Sequence, residues 1–186
     1  MLDSHPVIVL IFGAFAHHGG ERYGEDVSQL DHALQCAQLA RDHECSDSLV
    51  AAALLHDIGR MIDPDGNAIE RAGIDARHEE TGARALARFF PPAVTEPIRL
   101  HVDAKRYLCA IDPAYLSTLS AASLLSLDVQ GGPMHADERR RFEATPFLAD
   151  ALQLRRFDDW GKRDANTVAP LDSYRSLLIG LCTIAP

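Results

Sequence analysis

Basic residues are scarce in this chain: 18 Lys and Arg stand against 27 Asp and Glu, a formal charge of −9. A nucleic-acid binder needs a basic footprint on its surface, so that class is excluded. A small anionic substrate is not, because a few local cations dominate the field inside a pocket. Cysteine is sparse as well. Cys36, Cys45, Cys109 and Cys182 form no CxxC pair, which argues against a disulfide framework or a thiolate zinc site and for free thiols in a reducing cytoplasm. No apolar run reaches the roughly 20 residues that span a bilayer. The strongest, Val7 to Ala16, follows a stretch without Lys or Arg, so it lacks the charged start of a signal peptide and reads as a buried first helix. Internal repeats, low-complexity tracts and long linkers are absent. So is sustained period-2 alternation between hairpin turns. What remains is one all-α domain covering residues 1–186, with its core over about 23–175, and no membrane or nucleic-acid partner. The sequence leaves its oligomeric state open.

Helical signals are frequent. Ser28 is placed as an N-cap with Asp31 in the capping-box position, followed by Leu30, Ala33, Leu34, Ala37 and Ala40 at helical spacing. Ser46 or Asp47 opens a second such helix, with Gly59 as its stop. Asp75 caps a third helix carrying Leu86 and Phe89. Thr95 precedes a fourth, with Pro97 in its first turn. A fifth covers about Tyr115 to Leu127. Gly131-Gly132-Pro133 breaks the chain, and a long helix then runs from about Asp137 to Asp158 with an interruption near Pro146. Pro170 and Asp172 precede a terminal helix ending near Leu181.

Histidine and aspartate recur on these helices: His32 on the first capped one, His56-Asp57 at the end of Ala51-Ala52-Ala53-Leu54-Leu55, then His78, His101 and Asp158. Imidazole and carboxylate suit iron, manganese and zinc. Spread over five helices, they converge only inside a bundle, where such sites are built. Any one His taken alone is more often a packed or surface residue. The His56-Asp57 doublet is different. It sets a carboxylate directly after a buried apolar run, where an unpaired charge is expensive and a metal ion removes the cost. Adjacent helical residues diverge by about 100°, so one doublet can offer its imidazole to one metal and its carboxylate towards a second.

The run Leu54-Leu55-His56-Asp57-Ile58-Gly59, with His32 before it and Asp158 after, resembles the H…HD…D motif of the HD superfamily. With His78 and His101 between, it resembles the two-metal members. The implied ligands are His32, His56, Asp57, His78, His101 and Asp158, with Asp57 bridging; Asp159 is adjacent to Asp158, and spacing does not separate the two. The likeness goes further. Glu25 with Ser28-Gln29-Leu30-Asp31-His32-Ala33-Leu34-Gln35, His101-Val102-Asp103-Ala104-Lys105-Arg106-Tyr107-Leu108, Gln130-Gly131-Gly132-Pro133-Met134 and Arg155-Arg156-Phe157-Asp158-Asp159-Trp160-Gly161-Lys162 are similar to the mixed-valent diiron oxygenases of phosphonate breakdown, the PhnZ type. That resemblance covers about Tyr23 to Tyr174. It implies two irons as an Fe(II)/Fe(III) pair, although the ligand set also accepts other divalent metals. It further implies O2 and a small 1-hydroxyphosphonate as substrates, with C–P cleavage and release of phosphate.

The helical register supplies an anion pocket as an independent reading. Lys105 lies four residues after His101 and Arg155 three before Asp158, each on its ligand's helix face. Two cations beside a metal site suit phosphonate oxygens, although either residue alone would equally make a surface salt bridge. The resemblance adds Ser123 to the pocket and gives Glu25 the recognition of a substrate amine. It also gives Tyr23 a gating role, which the spacing Tyr23-Gly24-Glu25, one residue shorter than in the relatives, puts in question. Arg60 stands where those relatives hold a His near the substrate. It adds charge and donors and favours a more anionic substrate; as an exposed cation at a helix end it would favour the macrodipole instead. The competing function is an HD-type phosphohydrolase, with a metal-activated water attacking a small phosphate ester or nucleotide. A metal-stabilised module without catalysis is the remaining reading.

Overall fold

The structure is a computed structural model that describes residues 5–22, 26–63, 72–163 and 168–183. Among these residues the regular structure is entirely helical. In chain order the helices are α1 (Pro6–His18), α2 (Gln29–Asp42), α3 (Asp47–Leu55), α4 (Ile58–Ile62), α5 (His78–Leu86), α6 (Pro92–Ile111), α7 (Pro113–Leu116), α8 (Ala121–Val129), α9 (Ala136–Glu143) and α10 (Leu148–Trp160). A 3-10 turn, Leu171–Tyr174, leads into α11 (Arg175–Leu181).

Local chemistry sets several of the starts. Ser28 Oγ accepts from Asp31 N at 3.1 Å and Ser46 Oγ from Leu49 N at 3.3 Å, so α2 and α3 begin on side-chain caps. The α6 helix, the longest described, starts at Pro92 rather than after Thr95, which places Pro97 inside it. Gly59 does not stop a helix. The chain turns through His56 and Asp57 and resumes as α4, and an added Cβ on Gly59 would lie 1.9 Å from His78 O. Gly59 is there because α4 meets α5 backbone to backbone. Asp75 organises the entry to α5 by accepting from Arg77 N at 3.0 Å, while the N-cap position falls to Arg77. Phe89 lies beyond the end of α5. The fifth expected helix divides into α7 and α8, and the long one into α9 and α10 around Phe147, whose φ is 64°. The Gly131-Gly132 break is as expected, with φ of 95° and 72°.

Helix α6 runs through the middle, packed by α10, α5 and α3, while α2 lies across α3 and α10. The main apolar core includes Val7, Ile11 and Phe15 of α1, most of α3, Phe157 and Leu178. It therefore extends beyond residues 23–175 at both ends. A second cluster joins Leu100 and Ala104 of α6 to Met134, Phe142 and Ala151. Arg106 of α6 clamps the glycine turn there, donating to Gly132 O at 3.0 Å and to Glu138 at 2.7 Å, with Met134 N donating back to Arg106 O. The two sequence motifs around Lys105 and Gln130 are thus one structural unit beside the site. No helix among the described residues is long and apolar enough to cross a membrane.

Candidate metal centre

Four helices and one turn deliver the histidines and aspartates to a single point. His32 comes from the first turn of α2 and His56-Asp57 from the turn ending α3. His78 is the first residue of α5, His101 sits mid-α6, and Asp158 is near the end of α10. All four imidazoles are buried, His56 completely. On one side, His32 Nε2 lies 3.2 Å from His56 Nε2 and 3.4 Å from Asp158 Oδ1. On the other, His78 Nε2 lies 3.3 Å from His101 Nε2 and 3.1 Å from Asp57 Oδ1. Asp57 Oδ2 faces back to His56 Nε2 at 3.8 Å. One carboxylate therefore presents an oxygen to each half.

The outward ring nitrogens fix which way the imidazoles work. His32 Nδ1 donates to Gly161 O at 2.9 Å, His56 Nδ1 to Ala53 O at 2.9 Å and His101 Nδ1 to Ile98 O at 2.7 Å. With Nδ1 holding the proton, Nε2 turns a lone pair inward, which is how metal-bound histidines are oriented. Lone pairs pointing at one another repel unless a cation sits between them. Metal–nitrogen bonds of about 2.0–2.1 Å place neighbouring ligand nitrogens roughly 3.0–3.4 Å apart at ordinary coordination angles, and the observed spacings fall in that range. The donor set thus fits a pair of metal ions.

The electrostatics agree. Burial opposes the Asp57 carboxylate, but His56 and Arg60 outweigh it and hold Asp57 well below the usual carboxylate range. Arg155 and Lys162 do the same for Asp158. Burial pushes His56 down, and burial together with His56 and His78 pushes His101 further down. At His32 burial is outweighed by Cys36 and Asp158, and the direction is upward. Since burial also pushes the Cys36 thiol up, that thiol stays protonated and Asp158 is the charge that retains the proton. The negative charge that raises His32 would equally favour a metal cation beside it.

Cys36 itself, one turn after His32, lies 3.7 and 3.9 Å from the two His32 nitrogens and donates to Phe157 O at 3.3 Å. A thiol engaged with a carbonyl packs against His32 rather than joining the ligands, so the group His32–Cys36–His56 is better completed by Asp158. Asp159, which spacing could not separate from Asp158, points away. It pairs with Arg155 Nη2 and accepts from Tyr115 OH at 2.5 Å.

A cavity of about 760 Å³ opens over the histidines and is lined by Arg60, Lys105, Ser123, Arg155 and Lys162. All four residues expected to bind substrate are among them. Lys105 is 2% exposed, and its Nζ donates to Ser126 Oγ at 2.6 Å. Burial, then Arg155, pushes it down to about 7. Arg155 is largely committed elsewhere, donating to Asp158 Oδ2 at 2.6 Å and to Tyr115 and Asp159 from Nε at 3.2 Å. Arg60 Nε lies 3.4 Å from Asp57 Oδ2, beside that carboxylate rather than at an exposed helix end. Tyr23 and Glu25 lie outside the described residues. Sequence reasoning missed Lys162, Ser126, Gln29 and Gln130, which also line the cavity. Lys162 was within reach of it, since it follows Asp158 by four residues just as Lys105 follows His101.

A family model of the HD domain matches residues 30–130, more than half the chain. This protein belongs to the HD-domain family. Among individual relatives, the hydroxymethylphosphonate dioxygenase of Gimesia maris is 43% identical over 170 residues, 91% of this chain and 85% of that protein. The glycine-betaine-forming 1-hydroxy-2-(trimethylamino)ethylphosphonate dioxygenase of Leisingera caerulea is 42% identical over 163 residues, covering 87% and 83%. An uncharacterized protein of Acanthamoeba polyphaga mimivirus is 34% identical over 172 residues, covering 91% and 78%.

Proposed function

We propose that this protein is a diiron oxygenase that uses O2 to cleave the C–P bond of a small 1-hydroxyphosphonate and release phosphate. The observation that carries the reading is the pairing of two inward-facing imidazole sets across Asp57 with a cationic cavity directly above them. Relatives covering most of the chain at 42–43% identity act on 1-hydroxyphosphonates by name. In this reading His32, His56 and Asp158 would hold one iron and His78 and His101 the other, with the Asp57 carboxylate available to both. Counting Asp57 for both, the set offers four imidazole or carboxylate donors on one side and three on the other, which suits iron as a redox metal.

When bound, the Fe(II)/Fe(III) pair supplies Lewis acidity and one-electron chemistry towards O2. The reaction balances without another reductant. A 1-hydroxyphosphonate dianion and O2 give a carboxylate, hydrogen phosphate and a proton, the electrons coming from the C–H and C–P bonds. The chain's own contribution is binding and orientation. Lys105 and Arg60 attract the phosphonate, Ser123 offers it a hydroxyl, and Arg155, which lines the cavity, holds Asp158 in place. Carbonyl-anchored Nδ1 atoms keep the imidazoles from turning. Arg60 favours the more anionic substrates, those without an amine such as hydroxymethylphosphonate. Four free thiols suit the reducing cytoplasm.

The test is phosphate release from hydroxymethylphosphonate by iron-loaded protein, with O2 uptake followed in parallel. One phosphate per O2 and no release under strict anaerobiosis are expected, together with a coupled Fe(II)/Fe(III) EPR signal that substrate perturbs. Equal release without O2 would replace this reading with hydrolysis.

A further inference from the structure

The chain has two lysines, Lys105 and Lys162, and every other basic side chain is arginine or histidine. Both lysines line the cavity, and both bond to one face of α8. Lys105 Nζ donates to Ser126 Oγ at 2.6 Å and approaches Ser123 O at 3.5 Å. Lys162 Nζ donates to Ser123 Oγ at 3.0 Å. An ammonium group is a compact cation with three rotatable donors, whereas the arginine fork suits planar, bidentate partners. A chain that uses arginine nearly everywhere thus places its two point cations side by side over the metal centre.

A simpler account would make Lys162 the counter-charge of Asp158. That is part of its role, since Lys162 helps hold the Asp158 carboxylate ionised, but the distances leave it a second one. Lys162 stands 3.8 Å from Asp158 Oδ1, beyond a hydrogen bond, and Arg155 already donates to that carboxylate at 2.6 Å. Of the two, the Ser123 hydroxyl is the closer to Lys162. A hydroxyl that accepts from an ammonium group turns its own proton elsewhere. Among the described residues no protein acceptor takes the proton of Ser123 Oγ, although Ser123 is buried and lines the cavity.

We propose that Lys162 is a ligand for the substrate's phosphonate oxygens and sets the Ser123 hydroxyl as a second donor to the same group. This deepens the function proposed above and rests on it for the identity of the anion. Lys162 and Ser123 form a two-pronged donor on the α10 side of the cavity, while Lys105 serves from α6.

The experiment uses the metal-loaded protein, with hydroxymethylphosphonate and inorganic phosphate as probes. It measures Kd by calorimetry alongside KM, kcat, metal content and melting temperature. Replacing a charge-assisted hydrogen bond to an anion should weaken binding about tenfold to a hundredfold. Lys162→Met is expected to raise Kd and KM for hydroxymethylphosphonate by that factor, with metal content unchanged and kcat within a few-fold. Lys162→Arg should recover part of the loss. The Lys162→Met/Ser123→Ala double variant should be little worse than Lys162→Met, because the two groups act as a unit. Unchanged Kd in Lys162→Met would overturn the proposal. So would a parallel loss of metal, which would make Lys162 a support for Asp158. Lys162-dependent binding without O2-dependent turnover would leave this assignment standing and remove the oxygenase reading. Turnover with Lys162-independent affinity would do the reverse.

Discussion

Seven of the nine residues of α3 are buried, and the helix ends directly on His56. Of the nine residues of α8, two are buried, and one of those is Ser123. The turn after α3 reaches the cavity through Asp57, and α8 lines it directly; α3 is part of the main core, whereas α8 is tied to the site by Lys105 and Lys162. The candidate ligands His56 and Asp57 are thus held by apolar packing, which tolerates little displacement. The substrate-facing donors are held by a few polar contacts, which can be altered without unfolding the domain. In the function proposed above, metal chemistry would belong to the floor and substrate choice to the rim.

The largest effect should come from the floor. Among the described residues Asp57 is the one carboxylate with an oxygen towards each imidazole pair. Asp57→Ala is expected to reduce bound iron below two per chain and to lower phosphate release by roughly a thousandfold or more, the scale of losing several kcal/mol of metal-supplied stabilisation. Metal analysis beside a phosphate assay decides it. Full activity in this variant would detach the chemistry from the histidine cluster.

Gly59→Ala is the next strongest, and it acts on the floor without touching a ligand. The new Cβ would meet His78 O at 1.9 Å and Gly82 N at 2.9 Å, both backbone atoms. Forcing α4 from α5 should cost about 3 kcal/mol or more, a fall of roughly 6–12 °C in Tm for a domain of this size. Because His78 opens α5, iron binding should weaken with it. A thermal melt of the variant that matches the parent would break the claim that close backbone packing places His78.

The floor was also the more legible part in the sequence. A doublet of ionisable residues after Ala51-Ala52-Ala53-Leu54-Leu55 signals a buried charge, and His32, His78, His101 and Asp158 each sit on a recognisable helix. The structure brings all six together. Helix boundaries were less legible. Gly59 looked like a stop because a glycine required for close approach reads the same as one required for a turn. The tie between Asp159 and Asp158 was undecidable from spacing, because it depends on Tyr115 and Arg155 drawing Asp159 outward. On the rim, Lys162 and Ser126 escaped notice because their contacts join α10 to α8 and α6 to α8, pairings that no local pattern encodes.

Rim substitutions should divide binding from metal chemistry. Lys105→Met is expected to raise KM about tenfold to a hundredfold, with iron content preserved. Lys105 also gives the rim a pH dependence. Burial and Arg155 bring it down to about 7, so without substrate its anion-binding ammonium form is present below pH 7 and is lost as pH rises through 7. A bound anion favours the ammonium, which moves the loss upward. Wild-type KM should therefore increase above about pH 7, and Lys105→Arg, whose guanidinium stays charged, should flatten that increase. A pH–KM profile of the two proteins is the check, and identical slopes would remove Lys105 from substrate binding.

The smallest effect isolates the inner face of α8 from its outer one. Leu125 is 72% exposed and borders the cavity, whereas Leu127 is buried with Cys109 and Leu119 in a small separate cluster. Leu125→Ser should shift stability by about 0.5 kcal/mol or less and leave KM within a few-fold. Leu127→Ala removes the apolar anchor of the same helix and should cost about 2 kcal/mol or more. It should also raise KM, because Ser123 and Ser126 share the helix it fixes. Measured together by thermal melts and steady-state kinetics, the pair separates two explanations of the rim. If Leu127→Ala lowers Tm but leaves KM unchanged, the lysines alone hold Ser123 and Ser126 in place. If both parameters move, α8 carries the substrate donors as a unit, and its sparse packing is what allows the rim to vary over a fixed metal floor.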